Sequence, residues 1–181
     1  RVPAVVVTIT NNSAAGQPVS TANLEAVRAL ADDLDATLVI DACRFAENAY
    51  FVKERESGYA GDSIVDIARE QLAYADAVIM SGKKDGLANV GGFVAVRDPD
   101  LLERVTQRAI LYEGFSTYGG MAGRDLEAMA TGLREAVEYE YVAHRVGQTS
   151  ELGDLLEAAG LPIYRPVGRH AVYGDAGATY S

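Results

Sequence analysis

Cysteine occurs once in the 181 residues, at Cys43. A single thiol excludes an internal disulfide framework and fits a reducing, cytoplasmic setting. Long apolar runs are missing too: Ala4 to Val7 and Leu38 to Ile40 fall far short of a membrane span. Positive charge is scarce. Sixteen Lys+Arg stand against 26 Asp+Glu, a formal net charge of −10. Most of that surface repels a polyanion, so neither nucleic acid nor an anionic membrane is expected as a partner. The chain opens Arg-Val-Pro, without Met and without a charged-then-apolar leader, and is expected to be a piece of a longer polypeptide. What remains is globular in composition, 49% hydrophobic and 23% charged, with length for one core rather than two.

The apolar pattern alternates between strand and helix. Ala4 to Thr10 is β-branched and nearly all apolar, as in a strand buried on both faces. The polar loop Asn11 to Pro18 follows. Ser20 or Thr21 can then cap a helix carrying Leu24, Val27, Leu30 and Leu34. Thr37 to Asp41 is a second short strand. Ser63 with Asp66 three residues on starts another helix. Asp76 to Met80 and Val90 to Val96 give a third and fourth strand. Leu126, Met129, Leu133, Val137 and Tyr141 keep helical spacing over more than four turns, and a further helix stops at Gly160 and Pro162. Short strands are expected near Ile163 and Ala171 to Tyr173. Gly120 and Gly123 mark an internal hinge. The class is α/β, a largely parallel sheet flanked by helices.

In such sheets ligands bind beyond the carboxyl ends of the strands. Three polar clusters fall there: Asn11 to Gln17, Asp41 to Arg44, and Ser81 to Asp85. A lysine after a small-residue turn, as in Ser81-Gly-Lys83-Lys84-Asp85, can form a Schiff base with an aldehyde; equally, two adjacent lysines can be a solvated pair. A carboxylate at a strand end, Asp41, can hold a protonated pyridine nitrogen, or can cap a helix with Arg44 as its ion-pair partner. Asn12 can donate to a ring oxygen or simply serve a turn.

These residues stand in longer blocks: Asn12-Ser-Ala-Ala-Gly-Gln-Pro-Val-Ser20, Asp41-Ala-Cys-Arg-Phe-Ala-Glu-Asn-Ala-Tyr-Phe51, Tyr74-Ala-Asp76, Ser81-Gly-Lys-Lys-Asp85, Glu113-Gly-Phe-Ser-Thr-Tyr-Gly-Gly120, Ala122-Gly-Arg-Asp-Leu-Glu-Ala-Met-Ala130 and His170-Ala-Val172. Over essentially its whole length the chain resembles the central segment of the β-eliminating lyases, the pyridoxal-phosphate (PLP) enzymes comprising tryptophanases and tyrosine phenol-lyases. The resemblance implies a partial fold type I (aspartate-aminotransferase-like) large domain over residues 1–181. The phosphate loop would lie upstream and the small domain, with the arginine for the substrate carboxylate, downstream. It also implies a homotetramer.

By that resemblance Lys84 is the Schiff-base lysine, with Lys83 beside the cofactor. Asp41 faces the pyridine nitrogen and Ser81 the phosphate. Arg44 and Asn12 surround the ring oxygen and the substrate carboxylate, Phe115 contacts the substrate's aromatic ring, and Asn89 helps hold a potassium ion through its backbone. His170 matches a histidine late in the large domain, equally readable as structural. Phe45-Ala46 and Phe115 favour cleavage of L-tryptophan to indole, pyruvate and ammonia. Asn89 and the 122–130 block look as much like the enzymes that release phenol from L-tyrosine, and an inactive fragment is a further reading. An aldolase or aminotransferase is disfavoured by the motifs. Two departures stand out. Ala15 replaces a family glycine, which strains the chain if φ is positive there, and Arg169 replaces another before His170.

Overall fold

β-Branched residues at 5–8 and at 37, 39 and 40 favour extended backbone, and in the computed structural model, which describes residues 2–168 and 170–179, they become neighbouring strands. β1 (Ala4–Thr8), β2 (Thr37–Asp41), β3 (Ala77–Ser81) and β4 (Gly92–Val96) form one sheet in the order β1-β2-β3-β4. The first three run parallel; β4 is antiparallel to β3. The helices are α1 (Thr21–Asp33), α2 (Phe45–Arg55), α3 (Ile64–Ala73), α4 (Pro99–Tyr112), α5 (Gly123–Glu135), α6 (Tyr139–Ala158) and the short α7 (Ala176–Thr179).

Helix starts follow their caps. Ser20 Oγ accepts from the Asn23 N–H, and Ser63 Oγ from that of Asp66, whose carboxylate takes the serine hydroxyl in return. The long period expected from Leu126 to Tyr141 is two helices, not one: α5 ends at Glu135 and α6 begins at Tyr139. The pattern looks continuous because both helices feed one core, where Ala136 and Val142 join Ala46, Ala49, Val52, Ile64, Ile67 and Ala68 of α2 and α3. Around Ile163 and Ala171 to Tyr173 there is no strand, only an isolated bridge from Ile163 to Gly174.

One sheet face is covered. Ile9, Leu24, Ile40, Ala42 and Ala75 form its core, with Phe45 and Leu72 of α2 and α3 packed against them. The opposite face is open: Val6, Ile79 and Val94 lie on it, and Val6 is 60% exposed. The expectation that β1 is buried on both faces is therefore not met. Its side chains suit two covered faces, but helices pack on only one.

Candidate active site

Parallel pairing of β1, β2 and β3 sets their carboxyl ends side by side. The loops carrying Asn12, Asp41 to Arg44, and Ser81 to Asp85 consequently share one edge of the sheet, as the polar clusters lead one to expect. Backbone bonds stitch them: Ile9 N–H to Asp41 O at 3.1 Å, Ala42 N–H to Ile79 O at 2.9 Å, and Asp85 N–H to Cys43 O at 3.2 Å.

Asp41 ends β2, half-buried, and its Oδ1 accepts the Cys43 N–H at 3.2 Å. It caps no helix; at the start of α2 the N-cap is Arg44, whose side chain makes no cap bond. Cys43 Sγ in turn accepts the Ser81 N–H at 3.2 Å. Burial, then Asp41, push this thiol up, against the pull of the Ser81 N–H and the Lys84 charge. Cys43 thus senses both Asp41 and Lys84. Lys83 and Lys84 themselves are exposed in the turn after β3 and make no ion pair among the described residues.

Arg44 Nη1 donates to Thr10 O at 3.4 Å and Thr10 Oγ1 to Arg44 O at 3.3 Å, joining the first two loops. Beneath them lies a buried polar network that sequence reading missed. Asn48 accepts from Val19 N–H and donates to Val19 O, both at 2.8 Å, and also donates to Gln71 Oε1 at 3.1 Å. This clamps the end of the Asn12 loop onto α2 and α3. Asn48 and Gln71 are polar residues inside an otherwise apolar helical face, and that was the available signal. Asp85, overlooked beside the lysines, accepts from the N–H groups of Ala46 and Glu47 at 2.8 and 3.2 Å.

The remaining expected residues divide between this edge and the surface beyond it. Asn12 is exposed in a one-turn 3-10 helix, whose end puts Ala15 at φ 54°. That is the left-handed region, so the departure from glycine does strain the chain. Asn89 is exposed on the far limb of the lysine loop, and the described residues hold no cluster of three His, Cys, Asp or Glu side chains for a metal. Phe115 is 61% exposed, and its ring leans on Tyr118 rather than on the strand-end groups. The 115–121 turn does reach the loop through Met121, against which any Cβ at Gly91 would collide. His170 Nε2 lies 3.1 Å from Tyr173 Oη, and Nδ1 3.6 Å from Glu47 Oε2, which supports its structural reading. Arg169 lies outside the described residues. A surface cavity lined by Phe51, Arg55, Arg165 and Val167 also takes in Pro166 and Gly168, which touch the Asn12 loop at Gln17 and Gly16.

The donor set is chemically coherent: an exposed primary amine, a half-buried carboxylate, an amide and a guanidinium, all at one sheet edge. It fits an anionic aldehyde cofactor with a basic ring nitrogen, the amine for the aldehyde and the carboxylate for the nitrogen.

The family model described as Beta-eliminating lyase matches residues 1–178. A Halobacterium salinarum protein named "Probable tryptophanase" is 66% identical over 178 residues, covering 98% of this chain and 40% of that protein. A tyrosine phenol-lyase of Intrasporangium calvum is 54% identical over 172 residues, covering 95% and 36%. The crystal structure of a "putative L-allo-threonine aldolase" from Listeria monocytogenes has a TM-score of 0.67 at 17% identity, covering 91% of this chain and 41% of that one. At such identity the likeness speaks for the fold alone. The chain spans about 40% of the length of the Halobacterium relative.

Proposed function

The chain belongs to the beta-eliminating lyase family, and from that premise we propose that it is the PLP-binding large-domain segment of a cytoplasmic, homotetrameric lyase. The reaction is L-tryptophan plus water to indole, pyruvate and ammonia. The observation that carries this reading is the meeting of Asp41, Lys84 and the Asn12 loop at one sheet edge. No helix of the described residues is long and apolar enough to cross a membrane.

When bound, PLP supplies an electron sink that makes the substrate Cα proton acidic. The rest falls to the protein. Asp41 keeps the ring nitrogen protonated through its charge. The Lys84 amine would hold the aldehyde group and would be the base for the Cα proton. Ser81 takes part of the phosphate, with Lys83 close by. Asn12 and Arg44 orient the ring oxygen and the substrate carboxylate. Phe115 offers a flat apolar wall to the departing ring once the 115–121 turn is covered, and Asn89 shares in a potassium site.

Tyrosine phenol-lyase chemistry is the second reading, favoured by the 54% identity to the Intrasporangium calvum protein; one aromatic contact discriminates between such rings by only about 1–3 kcal/mol. Incubating the full-length protein with L-tryptophan and with L-tyrosine, and assaying pyruvate together with indole or phenol, separates the two. Absence of pyruvate from both removes the lyase reading and leaves an inactive scaffold.

A further inference from the structure

Asp85 follows Lys84 in sequence, and a carboxylate beside a lysine would ordinarily be read as its ion-pair partner. The structure places it elsewhere. Its side chain is buried, 7% exposed for the whole residue, and its Oδ2 accepts the backbone N–H groups of Ala46 and Glu47 in the first turn of α2. The positive end of that helix balances the charge. Its own N–H donates to Cys43 O at 3.2 Å. Asp85 therefore binds the 43–47 segment with both backbone and side chain, and that segment begins two residues after Asp41. On its other side the loop closes on itself through Gly82 N–H to Gly91 O at 2.8 Å and Ala88 N–H to Gly82 O at 2.9 Å. Gly132 of α5 presses against the Gly86 carbonyl so closely that a Cβ would not fit.

From this arrangement we propose that Asp85 is the positioning residue of the site: it fixes the lysine loop to α2, and so sets where Lys84 stands relative to Asp41. Its carboxylate reaches the first turn of α2, 39 residues away in the chain, instead of turning to the neighbouring Lys84 amine. The role of the amine rests on the function proposed above; the strut itself does not. A displacement of about 1 Å between groups that must meet reduces rates by about 10²-fold, so loss of the strut should be felt at Lys84 although Asp85 touches no substrate.

Two measurements on the full-length protein test this, with Asp85→Ala and Asp85→Asn. The first is backbone hydrogen exchange across residues 82–91 and 45–47. The second is the rate at which borohydride fixes PLP to Lys84, read by peptide mapping. Within these 181 residues lysine occurs only at 53, 83 and 84, so the Lys53 peptide serves as the internal reference. For Asp85→Ala we expect faster exchange throughout 82–91 and at least about a tenfold loss of trapping at Lys84. Asp85→Asn keeps one acceptor oxygen and should restore most of both. If Asp85→Ala frees only residues 45–47, with the lysine loop protected and trapping unchanged, Asp85 is merely a helix cap and the proposal is overturned. Should that variant not fold, Asp85→Glu keeps the charge but lengthens the tie by a methylene; the same two readings must move, and unchanged values overturn the proposal equally. If wild-type protein fixes no PLP at Lys84, the proposed function fails instead, and exchange alone then decides whether Asp85 holds the loop.

Discussion

The lysine loop separates two unlike flanks. Toward β2 the chain is tied down: Asn48, Gln71 and Asp85 are buried and hydrogen-bonded, and α2 and α3 share a core with α6. Toward α4 it is bare. No residue of α4 is buried, and Leu111 and Tyr112 at its end are 75% and 77% exposed. Large side chains on a helix so little covered mark a surface meant for contact. The groups assigned to the reacting centre thus sit on the flank this segment builds by itself, while Phe115, assigned to the substrate ring, sits on the flank that needs covering from elsewhere.

The sharpest way to break that contrast is through turnover. In the full-length protein, Lys84→Ala should lower pyruvate release by about 10³-fold or more, and Lys83→Ala by far less. Asp41→Asn keeps shape and hydrogen-bonding capacity but loses the charge, and should slow release by about 10²-fold, or ~2.7 kcal/mol. Near-normal rates for Asp41→Asn would remove the carboxylate from the mechanism.

Stability measurements sharpen the comparison next. Ile67→Ala, on the tied flank at 1% exposure, should cost about 2–5 kcal/mol by chemical denaturation. Leu111→Ala on the bare flank should change the isolated chain by less than about 0.5 kcal/mol. A large effect of Leu111→Ala in the full-length protein would then locate the missing cover.

A smaller effect is expected from Asp76, which holds α1 to the start of β2. Burial alone would raise its carboxyl. The Arg28 guanidinium at 2.8 Å and the Leu38 N–H at 2.7 Å outweigh that and hold it below the usual range. A carboxyl depressed in the folded state adds stability above its unfolded pKa of about 3.9, and loses it as pH falls through the folded value. Asp76→Asn should flatten the acid limb of the stability curve and cost about 1 kcal/mol at neutral pH, the pair being partly solvated. Smallest of all, Ala15→Gly should relieve left-handed strain worth about 1 kcal/mol, partly offset by the freer unfolded chain.

What could be read from the sequence, and what could not, follows the range of the interactions involved. Ser20 and Ser63 announce their helices because cap and helix are neighbours in the chain. α2 gives no such notice: its capping carboxylate, Asp85, lies 39 residues from Ala46. The turn from α5 to α6 is hidden because one apolar period serves both helices. α4 is different, since Asp98 and Pro99 carry a start signal that was there to be used. At the site, the shared edge follows from the strand ends alone. The exposure of Phe115 and the strut at Asp85 depend on packing between distant segments, which no local pattern encodes.

The antiparallel turn into β4 carries one more consequence. β1 and β2, like β2 and β3, are joined through intervening helices, whereas Lys83 and Lys84 lie in the direct link between β3 and β4. Hairpins close in about 1–10 µs, and pairings distant in sequence come later because more chain must be ordered first. The lysine thus belongs to a locally closed ribbon, whereas Asp41 reaches the edge through a pairing more distant in sequence. The Asp85 bonds to α2 join these two stretches of chain at one edge.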